Sequence, residues 1–304
     1  MNNEDLRSEI KQVPVSTGEK VSVKIKHSDK ADACSILFIH GLGDSKNAWD
    51  YAFESDYLRD YDLIALDLLG YGDTEVKNST IFSFSSQVKM LLEIFEYIEI
   101  KKAIIIAHSM GGVIASLLVA QLQTGFDPSI INEPQKVLDW LDSKSKHKTS
   151  DKKLRLFIDV EGNLTAKDAT ISGRAVKADA KSNFPKWFDK FKATTQSGPW
   201  AEANPSLGHY GRSLEKCLPS AFLQGSIDLN SWKQNSNSEK PLAGELYTRL
   251  DVEKFYFFGT QSIPETSREF IKEEQIRSME FSESGHWLMN DASDDFYSKL
   301  KSIL

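Results

Sequence analysis

The chain has 304 residues, with 37 Lys+Arg against 44 Asp+Glu, a formal net charge of −7 and a pI near 5.5. Such an acidic chain is a poor nucleic-acid binder, because phosphate is met by a basic surface. Its 40% apolar content is too high for a disordered chain, and two cysteines, Cys34 and Cys217, make neither a disulfide framework nor a four-cysteine zinc site.

The first ten residues, MNNEDLRSEI, lack the basic start and apolar run of a secretory signal. The run Gly111–Ala120 falls short of the roughly 20 apolar residues that cross a bilayer. The expectation is a cytoplasmic protein without membrane insertion. Ser22–Ile25, Ser35–Ile39 (SILFI) and Tyr61–Asp67 (YDLIALD) read as strands, being rich in β-branched and aromatic residues. Val88, Leu91, Leu92, Phe95 and Ile98 fall on one face of a helix. Ala103–Ala107 (AIIIA) is an apolar strand of the kind buried on both faces of a parallel sheet, and Gly112–Leu122 reads as a helix packed on it. Asp127–Lys153, with its lysine-rich SKSKHKTSDKK, reads as a solvated surface insertion.

Leu154–Val160, Lys254–Phe258 and Arg277–Phe281 are further strands, and Asp291–Leu304 is a closing helix. Strands alternating with helices imply an α/β fold around a mostly parallel sheet. Between two of these strands lies Asn163–Leu250, about 90 residues rich in turns and aromatics, too long for a structureless loop in a compact domain. It predicts an inserted subdomain at 163–250, with the core formed by 1–162 and 251–304.

Three local patterns carry chemistry. In Ile106-Ala107-His108-Ser109-Met110-Gly111-Gly112, a serine sits between a buried strand and a helix, with small residues two before and two after it. A hydroxyl pushed out at the top of a sheet requires a sharp, strained turn, and only small neighbours fit beside it. Ser109 is thus a candidate nucleophile. His40-Gly41-Leu42-Gly43 follows a strand, and an acyl-transfer site needs two N–H groups aimed at a developing oxyanion. Met110, at a helix start, and Leu42, in the glycine loop, are the candidate donors. Gly41-x-Gly43 with Asp67 also faintly mimics a dinucleotide site, but Lys46 stands where the third glycine belongs. Ser284-Gly285-His286-Trp287 follows the last strand, where His286 can serve as the base for a serine.

HGLGD, DLLGYGDT, AHSMGG and SGHWL, in this order, resemble the α/β-hydrolase fold over about residues 20–165 and 250–304. The resemblance implies Ser109 as nucleophile, His286 as base, Leu42 and Met110 as backbone oxyanion donors, and a mainly helical cap matching the insertion. Ala107 replaces the first glycine of the usual G-x-S-x-G. The family commonly places an Asp after the strand Lys254–Phe258, and this chain has none there, so the acid has three candidates. Glu161 and Asp159 lie on one side of the strand that follows the elbow helix, with Glu161 nearer its C-terminal end. Glu265 follows Pro264. Glu161 is the first choice, Glu265 the second and Asp159 the third.

The other histidines weigh less. His108 reads as a packed elbow residue, and His27, His147 and His209 show no ligand spacing, so no metal and no cofactor are expected. The expected activity is hydrolysis of a small to medium, partly apolar carboxylic ester through an acyl-enzyme. The alternatives are a ligand receptor on the same fold, and a serine-triad thioesterase or carbon–carbon bond hydrolase.

Overall fold

The computed structural model describes residues 8–144, 153–204, 206–233 and 240–304. Eight strands form one sheet: β1 (Glu9–Pro14), β2 (Lys20–Lys26), β3 (Ser35–Ile39), β4 (Asp62–Leu66), β5 (Ala103–His108), β6 (Leu154–Val160), β7 (Lys254–Gly259) and β8 (Ser278–Phe281). Their order is β1-β2-β4-β3-β5-β6-β7-β8. β1 and β2 pair antiparallel, as do β2 and β4, and every other pair is parallel. SILFI and AIIIAH are buried at every position, as central strands covered on both faces must be.

The helices are α1 (Asp50–Glu54), α2 (Phe84–Tyr97), α3 (Met110–Thr124), α4 (Pro134–Lys144), α5 (Thr170–Asp179), α6 (Phe184–Gln196), α7 (Pro199–Ala203), α8 (Ser206–Glu215), α9 (Pro219–Ser231), α10 (Leu242–Arg249), α11 (Glu265–Glu273), α12 (Leu288–Asp291) and α13 (Ser293–Ile303). α2 starts where the Ser83 hydroxyl accepts the Ser86 N–H, and it buries Phe84, Val88, Leu91 and Ile94. α3 is almost wholly buried, which its small, apolar sequence permits, and it ends at Gly125 in the left-handed conformation. This is the α/β-hydrolase architecture read from the sequence.

Some elements differ from expectation. β1 is an additional strand; EIKQVP buries only Val13 and lies at the sheet edge, so it carries no two-residue hydrophobic signal. Asp127–Lys153 is not all solvated insertion. Val137, Leu138 and Leu141 bury one face of α4, and the helix packs on α3 and α10. Residues 145–152, including most of the lysine cluster and His147, lie outside the described residues. The expected closing helix is α13, and a separate four-residue helix, α12, precedes it. Between β6 and β7 the described residues form six helices, α5 to α10. Trp187, Phe188, Phe191 and Phe222 cluster there with ring centroids 4.8–6.2 Å apart. α10 packs against α3 and α4, in the layer that flanks the sheet.

Candidate active site

The β5–α3 turn places Ser109 at φ 54°, ψ −123°, a conformation that L-residues avoid. Two contacts hold it there. The Ser109 N–H donates to the Val160 carbonyl at 3.0 Å. Gly111 packs against the His40 carbonyl, where a side chain would collide. The glycine two residues after the serine is thus required by space, as the sequence pattern demands.

The glycine loop after β3 comes so close that a β-carbon on Gly41 would stand 3.0 Å from Ser109 Cβ. Gly43 is left-handed (φ 77°), and Leu214, Tyr210 and Phe222 leave no room for a side chain on it. His40 braces this loop: Nδ1–H donates to the Gly41 carbonyl at 2.8 Å, and Nε2 accepts the Leu68 N–H at 3.0 Å. Burial holds its pKa below the ordinary value, so the ring stays neutral. The Tyr210 hydroxyl from α8 donates to the Leu42 carbonyl at 2.9 Å, tying the same loop to the helices above it. Met110 opens α3, where backbone N–H groups have no partner within the helix.

His286 lies in the turn between β8 and α12, and its Nδ1–H donates to Glu161 Oε2 at 3.2 Å. That bond leaves Nε2 as the acceptor. Glu161 is buried, 5% exposed, and left-handed at φ 53°. Its other oxygen accepts the Gly259 N–H at 2.6 Å and the Ser262 hydroxyl at 2.9 Å. Of the three candidate acids, Glu161 alone faces His286. Glu265 is at the exposed start of α11, 3.9 Å from Arg268. Asp159 points into a space left by the absent side chains of Gly112 and Gly162. Burial, then the charges of Asp168 and Glu161, drive its pKa well up, so it is a buried neutral acid.

Ser109 and His286 line one cavity of about 320 Å³ with Gly41, Leu42, Asp44 and Trp287 from the core. Its other wall comes from residues 169–172, Trp200, Tyr210 and Leu229 of the helices between β6 and β7. Ser109 Oγ is not hydrogen-bonded to the imidazole; in such sites this contact often tightens only when substrate binds.

Residues whose roles are hidden in the sequence complete the site. His108 is buried, and its Nε2–H donates to the His286 carbonyl at 2.8 Å, so it braces the backbone of His286. Burial, then the neighbouring His286, pushes its pKa well down. The dinucleotide reading of Asp67 is replaced by an ion pair. Lys46, at the third-glycine position, sends Nζ to Asp67 at 2.7 Å and to Asp73 at 2.8 Å, and Lys216, just past α8, joins Asp73 at 2.5 Å. Burial is the largest influence on Lys46 and opposes its charge, but the charges and hydrogen bonds of Asp67 and Asp73 together outweigh it and hold the pKa above the ordinary value. Removing one partner of such a buried pair costs about 3–5 kcal/mol. Lys46→Met is expected to lose that much stability in urea unfolding at pH 7; a loss below about 1 kcal/mol would show the pair to be dispensable.

Asp168 also lines the cavity. It accepts the Thr165 N–H at 2.6 Å and the Ser267 hydroxyl at 2.7 Å, yet burial raises its pKa to about 6. The folded state therefore holds this proton more tightly than the unfolded chain, whose carboxyl titrates near about 4. Its contribution to stability is full below about pH 4, declines as pH rises, and is lost above about 6. Asp168→Asn is expected to flatten this decline in thermal melts between about pH 4 and 7; an unchanged slope would contradict it.

A family model for the alpha/beta hydrolase fold matches residues 35–155. An uncharacterised hydrolase of Bacillus subtilis is 33% identical over 108 residues, 35% of this chain and 38% of that protein. A serine hydrolase-like protein of Dictyostelium discoideum is 25% identical over 218 residues, 71% of this chain and 55% of that one. The chain thus spans about four to six tenths of the length of these relatives. An esterase from Exiguobacterium antarcticum superposes with a TM-score of 0.65 at 17% identity, covering 98% of this chain and 99% of that one. The chain is an α/β-hydrolase-fold protein. No helix among the described residues is long and apolar enough to cross a membrane.

Proposed function

We propose that the protein is a serine hydrolase that cleaves a small to medium carboxylic ester through an acyl-enzyme. The observation that carries this reading is the strained Ser109 sharing one cavity with His286, whose other nitrogen is held by the buried Glu161. Strain of this kind persists only where the surrounding structure over-determines it, and it clusters at sites of chemistry.

In this mechanism Ser109 Oγ attacks the ester carbonyl while His286 Nε2 takes its proton. The Leu42 and Met110 N–H groups stabilise the oxyanion. His286 returns the proton to the departing alcohol, and water, deprotonated by His286, releases the acid. Glu161 fixes the imidazole tautomer and stabilises the imidazolium. Of the helices between residues 163 and 250, α5 to α9 act as a cap that excludes water and shapes the acyl and alcohol sites, while α10 belongs to the layer beside the sheet. The volume of about 320 Å³ is at the low end for ligand pockets, which favours small esters.

The reading is tested with p-nitrophenyl esters of two to twelve acyl carbons. A pre-steady-state burst of nitrophenol equal to the enzyme concentration is expected, with short chains preferred. Absence of turnover on every chain length would overturn it.

A further inference from the structure

The cavity that holds the serine has a charge pattern that the hydrolysis reading does not use. Asp44 is 1% exposed and lines the cavity. Its oxygens accept the Ser45 N–H at 2.9 Å and the Trp287 Nε1–H at 3.2 Å, both neutral donors. Among the described residues no lysine, arginine or histidine forms an ion pair with it. The nearby Lys46 is committed to Asp67 and Asp73. Its negative charge adds to burial in raising the pKa of the Tyr210 phenol.

The described residues lining the cavity include a second carboxylate, Asp168, and neither lysine nor arginine. Two histidines remain. Burial keeps His108 neutral, and any charge on His286 is matched by Glu161. The cavity also carries the indoles of Trp200 and Trp287 and the phenol of Tyr210, and the rings of Tyr210 and Trp287 lie 4.9 Å apart beside Asp44. Aromatic faces tolerate cations and hydrocarbon alike.

We propose that the site selects substrates by charge: it takes uncharged and cationic esters and rejects those that carry a carboxylate, with Asp44 the selecting group. This inference rests on the reading of the cavity as an ester site. A buried carboxylate without a cation is costly, and a second anion in the same low-dielectric space adds repulsion that water cannot screen. A substrate amine or ammonium would instead supply the missing partner, and a neutral group would leave the existing hydrogen bonds in place.

The test uses three esters with the same acetyl group: acetylcholine, its uncharged carbon isostere 3,3-dimethylbutyl acetate, and 4-acetoxybutanoate. Binding is measured by calorimetry to Ser109→Ala, and turnover with the wild type. The uncharged and cationic esters are expected to bind at least tenfold more tightly than the carboxylate. Asp44→Asn, in the Ser109→Ala background, is expected to shrink that ratio severalfold. Equal or tighter binding of 4-acetoxybutanoate would overturn the inference. That comparison needs only Ser109→Ala, so it stands even if Asp44→Asn fails to fold. Because binding is read without turnover, failure of the hydrolase reading would appear separately, as the predicted binding order with no product from the wild type.

Discussion

Ser109→Ala is expected to lower kcat/KM on a short p-nitrophenyl ester by about 10⁴- to 10⁶-fold, the range seen when a serine nucleophile is removed. The substitution takes away one oxygen and leaves the backbone strained, since alanine is no better suited than serine to φ 54°. Stability should therefore change little. Ser109→Gly separates strain from chemistry. Glycine adopts this backbone freely, so the variant should be as inactive and more stable by roughly 1 kcal/mol. Activity within about tenfold of the wild type in Ser109→Ala would exclude the serine as nucleophile.

Glu161→Gln is expected to lower kcat/KM by about 10²- to 10⁴-fold while the fold remains intact. The glutamine keeps the size and can still accept from Gly259 and Ser262. It removes the charge that faces His286 Nδ1 and can present an amide N–H there instead, forcing the wrong tautomer. Glu265→Gln should stay within about twofold, because that side chain is exposed and its partner is Arg268, 3.9 Å away. Asp159→Asn should keep activity as well, since the acid is already neutral and does not touch His286. If Glu265→Gln is the variant that loses activity, the assignment of the acid is wrong.

The central strands, the serine elbow and the glycine loop are legible in the sequence because each is dictated locally. AIIIAH must be buried on both faces, and a turn with Ser109 at positive φ needs small neighbours two residues to either side. The carboxylate is legible only as a set of three. Alternation puts Asp159 and Glu161 on one side of β6, and what separates them is where the chain goes after the strand. Glu161 leaves it in the left-handed conformation and meets Gly259 and Ser262, which are about a hundred residues away in sequence. Asp159 is instead absorbed by Gly112 and Gly162. Long-range partners of this kind leave no periodic trace.

The same holds for Lys46 and Asp44. Lys46 is informative in the sequence only as a broken glycine motif, and its pairing with Asp67 and Asp73 depends on how β4 and the glycine loop meet. Asp44 is read in the sequence only as the end of HGLGD, because one acidic residue in a loop has no charge signature until the cavity and its lack of basic lining residues are seen. The edge strand β1 and the packed helix α4 escape the pattern for a simpler reason: few apolar residues among many charges are enough when only one face is covered.

The most direct measurement is mass spectrometry of the protein after reaction with a fluorophosphonate probe. A serine that is both activated by His286 and flanked by the oxyanion donors should be phosphonylated stoichiometrically, at Ser109 alone, and the adduct should be absent from Ser109→Ala. An unmodified protein, or a label on any other serine, would contradict the assignment of Ser109 as the nucleophile.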